Sequence, residues 1–240
     1  QWKISRENQD ELALASHLNA SRAYEEGFYD DLVVEYQGIT RDNNIRPDTS
    51  PEQLAKLKPV FDRTKAGTMT AGNSTPLTDG ASAVLLASEE WARQRSLPVL
   101  AYLTYAKVSA VDFVNKEGLL MAPAYAVSDM LKDAEFSLQD FDFYEIHEAF
   151  AAQTLACLKA WESEEFCRNS LGREHALGSI DLKKLNTKGG SVAIGHPFAA
   201  TGTRIVSSLA KLLHQTRTGR GLASVCTAGG MGVTAILEKP

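Results

Sequence analysis

Ile205-Val206-Ser207-Ser208-Leu209-Ala210-Lys211-Leu212-Leu213 places apolar side chains at 205, 206, 209, 212 and 213. A stripe that wide belongs to a helix packed between layers, so the spacing predicts a core helix over 200–214. Working outward from it, 222–226 and 233–237 read as two C-terminal strands flanking the glycine turn Gly229-Gly230, and a loop with Gly189-Gly190 precedes the helix. Further upstream the pattern alternates. A small-residue strand over 80–87, a helix over 88–95, a strand over 99–110, a helix over 125–134, a strand over 141–146 and a helix over 148–161 follow in turn. Strand and helix alternating in this way point to an α/β fold with a mixed sheet. Before it, 5–28 has Ser5 as an N-cap, Gln9 or Asp10 close behind, and Leu12, Ala15, Leu18 and Ala23 at helical spacing. Val33-Val34 marks a short strand candidate in 28–36, and 41–61 is a Pro-punctuated excursion with Leu54, Leu57 and Phe61 on one short helix.

The 240 residues are 44% hydrophobic and 23% charged, an ordinary globular balance that excludes disordered and fibrous classes. A net charge of -5 removes the general attraction to phosphate backbones, so nucleic acid is not expected as a partner. The longest uncharged run, 221–237, carries four glycines and reads as strands and turns, not as a membrane span. Gln1 to Arg6 have no basic-then-apolar signal pattern, which suggests a cytoplasmic protein, or a mitochondrial one if a targeting segment lies upstream. Cys157, Cys167 and Cys226 form no CxxC pair and are odd in number, so reduced thiols are expected. Two glycosylation triplets, at Asn19 and Asn73, read as chance matches.

Three stretches carry residues that packing does not require. In the first, His147-Glu148-Ala149-Phe150, a strand delivers an imidazole to the mouth of a helix; Ala151 follows, so no HExxH zinc motif is formed. In the second, 189–197, the glycine spacing matches neither a dinucleotide nor a triphosphate loop, and it ends on His196-Pro197. Near the start of a long helix the macrodipole favours a neutral His196, able to act as a base at pH 7. The third is Cys226-Thr227-Ala228-Gly229-Gly230-Met231-Gly232, a thiol followed by glycines that let backbone N–H groups approach an oxyanion. Two histidines and a thiol at three such places suggest acyl transfer or carbon-acid chemistry.

In order and spacing, these three motifs resemble those of the thiolases, and the likeness extends to 67–73 and to Thr78-Asp79-Gly80-Ala81. The resemblance implies a layered αβα domain with a mixed sheet plus part of an inserted loop domain. Residues 1–76 would be the later part of the loop domain, 77–96 the last strand and helix of the N-terminal domain, and 97–240 the C-terminal domain. His147, where biosynthetic acetoacetyl-CoA thiolases commonly have Asn, together with Pro197-Phe198-Ala199-Ala200-Thr201-Gly202, is more similar to the 3-ketoacyl-CoA thiolases of fatty-acid β-oxidation. The family's nucleophilic cysteine would lie upstream of residue 1, and the strand over 81–87 would belong to a sheet whose other strands are absent. Such an edge invites association.

The resemblance also implies roles. His196 would be the base that activates the nucleophile, and Cys226 the acid that protonates the leaving acetyl-CoA carbanion. His147 would share the thioester oxygen with His196, acting through a bound water, and the Ala228 backbone N–H would serve a second oxyanion hole. Arg46 would lie near the adenine and phosphates of CoA, Thr75 against its pantetheine, and Met121 and Phe150 along the thioester pocket. No metal or redox cofactor is implied, since CoA and acyl-CoA are substrates. Partners implied are a second copy in a homodimer or higher homo-oligomer, and a β-oxidation hydratase/dehydrogenase subunit. Two alternatives stand beside this reading: a biosynthetic acetyl-CoA acetyltransferase, and a non-catalytic module that binds CoA or dimerises.

Overall fold

A computed structural model describes residues 2–115, 117–217 and 219–240. Helix α1 (Arg6–Glu25) starts where Ser5 accepts a hydrogen bond from the Asn8 backbone N–H, a cap that contributes about 1 kcal/mol. The short helices α2 (Pro51–Ala55) and α3 (Glu89–Gln94) are capped in the same way by Ser50 and Ser88. Then come β1 (Tyr102–Ala110), α4 (Ala122–Ala134), β2 (Phe143–Ile146), α5 (Ala151–Glu162), α6 (Glu164–Asn169), α7 (Ser191–Ile194), α8 (Thr201–Thr216), β3 (Arg220–Thr227) and β4 (Met231–Glu238).

The four strands form one sheet in the order β1-β4-β3-β2. β4 pairs antiparallel with both β1 and β3, while β2 pairs parallel with β3, so the sheet is mixed as the alternation predicts. Alternate side chains on each strand then face opposite helical layers. Tyr144, Ile146, Leu222 and Ile236 join Val127, Leu131, Leu158 and Trp161 in the core under α4 and α5. Ala223, Ala235 and Leu237 point the other way and meet Ile205, Leu209 and Leu213 of α8. The predicted core helix is therefore one outer layer of an αβα stack. Trp161 is fully buried, and its indole N–H donates to the Ala124 carbonyl at 3.2 Å, tying α5 to α4. Helix α1 packs on α5 and α7, outside the sheet layers.

Several expectations need correction. Residues 80–87 are not a strand: they have no ladder partner among the described residues, and Leu85 and Leu86 stand exposed. A strand needs a neighbour to take its backbone hydrogen bonds, and none is beside this segment among the described residues. Residues 28–32 are turns and 33–35 irregular, with Val34 in solvent and only the isolated bridge Tyr36–Ile39 following. The helix expected over 148–161 begins at Ala151, with Phe150 as its extended N-cap, so His147 and Glu148 belong to the turn before it. The short helices α6 and α7 were not anticipated, because neither is long enough to show a period.

Candidate functional site

Parallel pairing brings the C-terminal ends of β2 and β3 to the same side of the sheet. The ladder runs from Phe143–Gly221 to Ile146–Ser224, and the His147 N–H extends it by donating to the Ser224 carbonyl at 2.8 Å. Cys226 follows two residues on. Its buried thiol lies 3.5 Å from Gln153 Oε1, to which it donates, and within reach of the Ala149 backbone. Burial, and secondarily the neighbouring Cys157, pushes the Cys226 thiol up to about 12, so it stays protonated at neutral pH.

The two histidines meet. Their ring centroids are 4.2 Å apart at an angle of 39°. His147 is buried; its Nδ1 lies 2.7 Å from Ser191 Oγ, and its Nε2 has no hydrogen-bond partner among the described residues. His196 is half-buried, its Nδ1 is 2.7 Å from Thr201 Oγ1, and its backbone N–H donates to Thr78 Oγ1 at 2.8 Å. Burial, then the adjacent His196 and Arg204, push His147 down to about 3. Burial and the Arg204 guanidinium lower His196 as well. Both imidazoles are thus neutral at pH 7. The sequence credited the helix macrodipole with keeping His196 neutral; the structure assigns that to burial first and to a guanidinium in the first turn of α8 second.

Glu148 explains the shape of the glycine loop. Its fully buried carboxylate accepts from Ser16 Oγ (2.8 Å), Asn186 Nδ2 (2.6 Å) and the Val192 N–H (3.1 Å). A Cβ on Gly190 would sit 2.1 Å from the carboxyl carbon, so only glycine passes there. Burial still raises the pKa of Glu148.

The remaining candidates divide. Thr75 joins the site: its N–H donates to the Ala149 carbonyl at 3.1 Å and its hydroxyl to the Ser191 carbonyl at 2.7 Å. Phe150 is bridged to Ser74, and its half-buried ring stands edge-on to Phe61 with centroids 5.5 Å apart. Met121 is buried in the core under α4. Ala228 is exposed in the β3–β4 turn, ahead of Gly229 and Gly230, which alone in that turn take positive φ. Arg46 is exposed and donates from Nη1 to the carbonyls of Asn43 and Ile45, while its backbone N–H donates to His17 Nδ1. None of its hydrogen bonds reaches the histidine pair. Ser191, Thr201, Arg204, Gln153 and Thr78, whose side chains contact the site, lie within or beside the motifs, but their residue types alone assign them no role. Ser191 and Arg204 stand within or just after the glycine motif, but spacing alone does not tell which hydroxyl meets which ring.

Glu145, on the α8 side of β2, leads to a test. It is fully buried, its Oε1 has no hydrogen-bond partner among the described residues, and burial pushes it up to about 8 against the pull of Arg204. The folded chain therefore keeps a proton that the unfolded chain releases above about pH 4.5, and stability is lost as pH rises through about 8. His17, His147 and His196 have lowered pKa values, and the stability linked to them is lost on the acid side. Urea midpoints are expected to fall between about pH 7 and pH 9. Glu145→Gln should flatten that decline. The same slope in the variant would remove Glu145 as its source.

Comparison with known proteins gives this geometry a family. The thiolase C-terminal domain matches residues 97–239 and the thiolase N-terminal domain matches residues 1–90. The chain is 46% identical to a 3-ketoacyl-CoA thiolase of Yersinia enterocolitica and 47% identical to one of Yersinia pestis, over 99% of its own length and 55% of theirs. It thus spans about half the length of these curated relatives. Among solved structures it resembles an acetyl-CoA acetyltransferase of Bacillus anthracis (TM-score 0.83, 37% identity, 100% of this chain and 57% of that one). It also resembles human mitochondrial 3-ketoacyl-CoA thiolase (TM-score 0.82, 35% identity, 99% and 56%), and the same enzyme in complex with CoA (TM-score 0.80, 34% identity, 99% and 56%). With both family domains matched in order along a layered αβα fold, the chain belongs to the thiolase family.

Proposed function

We propose that these residues form part of a 3-ketoacyl-CoA thiolase, which cleaves 3-ketoacyl-CoA with CoA to acetyl-CoA and a shortened acyl-CoA. The observation that carries this reading is a pair of neutral imidazoles 4.2 Å apart beside the strand end that holds a protonated thiol. The acyl-accepting cysteine is supplied from outside the 240 residues. Cys157, Cys167 and Cys226 are all buried with raised pKa values, the opposite of what an attacking thiolate needs. On this assignment 1–76 is loop domain, 77–96 the end of the N-terminal domain and 97–240 the C-terminal domain. The working enzyme is a homo-oligomer.

The steps follow from the groups present. His196, with Nδ1 turned to Thr201, presents Nε2 as a base that takes the proton of the incoming cysteine. That thiolate adds to the keto carbon, the bond between C2 and C3 breaks, and the electron pair passes to the acetyl-CoA enolate, where His147 and His196 hold the thioester oxygen. Cys226 then gives its proton to the enolate carbon. A thiol held protonated by burial suits this cleavage direction. The proton taken up by His196 replaces the one Cys226 has given, so both groups return to their starting forms. CoA thiol then takes the acyl group from the cysteine, His196 removing the CoA proton and passing it to the departing cysteine thiolate.

The test is thiolysis by the longer polypeptide, with acetyl-CoA formation measured on acetoacetyl-CoA and on a long-chain 3-ketoacyl-CoA. Turnover of the long substrate supports the proposal, as do the relatives at 46–47% identity. Turnover of acetoacetyl-CoA alone would replace it with the biosynthetic reading, and none with either would leave a binding module.

A further inference from the structure

Behind His147 lies a second group of buried polar side chains for which the proposed reaction has no direct use. Ser191 Oγ touches two side chains: His147 Nδ1 at 2.7 Å and Arg204 Nη2 at 3.1 Å. Ser191 has no solvent exposure, and Arg204 Nε and Nη1 are buried without a hydrogen-bond partner among the described residues. Resting on the thiolase reading above, we infer that Arg204 and Ser191 are positioning residues that lock His147 in one tautomer, with the proton on Nε2.

A guanidinium carries only N–H donors, so the Arg204–Ser191 contact has one sense: Arg204 donates and Ser191 Oγ accepts. The hydroxyl has a single proton, and its other neighbour is His147 Nδ1. Donating there gives every group a partner. In the opposite tautomer Nδ1–H would donate to Ser191, Oγ would receive two protons from its neighbours, and the proton of this fully buried hydroxyl would have no side-chain acceptor among the described residues. An orphaned buried donor of that kind is costly. The cation also polarises the hydroxyl and strengthens it as a donor toward Nδ1. Protonating both ring nitrogens is no escape, because burial, His196 and Arg204 all oppose the imidazolium.

The outcome is an N–H on Nε2, the ring atom that is buried and without a partner among the described residues. A donor waiting there is what a developing oxyanion requires, and it needs no proton transfer of its own. His196 is held differently. Its Nδ1 meets Thr201 Oγ1, and no guanidinium contact among the described residues forces that hydroxyl to donate, so Nδ1–H can donate to Thr201 and leave the Nε2 lone pair free, as a base must. The two imidazoles 4.2 Å apart are thereby given different tasks by the hydroxyls behind them: His147 as a fixed donor, His196 as a proton acceptor. The first turn of α8 supplies the pieces, since Arg204 and Thr201 both sit on it.

The test is nitrogen NMR of the longer polypeptide labelled with 15N-histidine, with the His147 signals assigned by their loss in His147→Asn. A pyridine-like Nδ1 and a pyrrole-like Nε2 are expected. Ser191→Ala, which removes one atom, should turn His147 into a mixture of tautomers, while Arg204→Lys, which keeps a cationic donor, should restrain it better than Arg204→Gln. In the longer polypeptide Ser191→Ala should lower kcat about 10-fold to 100-fold with little change in KM, as expected when an oxyanion donor is misdirected. A proton on Nδ1 in the unaltered chain, the same tautomer in Ser191→Ala, or unchanged kcat in Ser191→Ala would each overturn the inference. Since the spectra need no turnover, an inactive polypeptide with the expected tautomer would sink the thiolysis reading alone.

Discussion

Replacing His196 with Ala in the longer polypeptide is expected to lower kcat for thiolysis by about 10²-fold to 10⁴-fold, the range of a positioned general base. The ring is asked to act twice, on the acyl-accepting cysteine and then on the CoA thiol, and it also shares the thioester oxygen with His147. Its removal should cost little stability, since the ring is only half-buried and its side-chain hydrogen bond is to Thr201. Activity and melting temperature should therefore separate. The pH profile gives a second reading: burial and Arg204 lower the pKa of His196, so the acid limb of kcat/KM should fall at a pH below the ordinary histidine value. Turnover unchanged in His196→Ala would remove the base assignment, and an acid limb at or above the ordinary value would show that burial and Arg204 do not lower the ring as described.

What could be read from the chain follows from how far each signal reaches. The stripe at 205, 206, 209, 212 and 213 spans more than two turns, and such a repeat survives any tertiary context; four of these five side chains are almost wholly buried and Val206 partly so. The segment 80–87 has the residues of a strand but no ladder partner among the described residues, and pairing is not a property of one segment. The motifs picked out residues that the fold brings near one another, because His147, His196 and Cys226 each stand at or near the end of an element where packing leaves backbone free. Their second partners were hidden. Ser191, Thr201, Gln153 and Arg204 act through rotamers and register, and the parallel pairing of β2 with β3 that brings His147 beside Ser224 joins residues 77 positions apart. Ser16, which holds Glu148 from α1, lies 132 residues from it. No local spacing encodes that contact.

Gly190→Ala should unfold the site from behind. A Cβ there would lie 2.1 Å from the Glu148 carboxyl carbon and 2.2 Å from both oxygens, closer than any non-bonded contact allows. The carboxylate cannot step aside freely, since Ser16, Asn186 and the Val192 N–H all point at it, and the Gly190 N–H itself donates to Ser16 Oγ at 2.9 Å. Movement would leave buried donors unpaired at about 1–3 kcal/mol each, so a loss of about 3–5 kcal/mol is expected. For a chain of this size that is a drop in Tm on the order of 10 °C. Gly202→Ala is the control: no atom lies within 4 Å of the added methyl, and on α8 alanine should stabilise by up to about 1 kcal/mol. If the clash is with Glu148, Gly190→Ala must cost much less in a Glu148→Ala background than in the parent, a non-additivity that a general disturbance of the loop would not produce. Equal costs in the two backgrounds would mean that the glycine serves the backbone of 189–195 and not the carboxylate behind it.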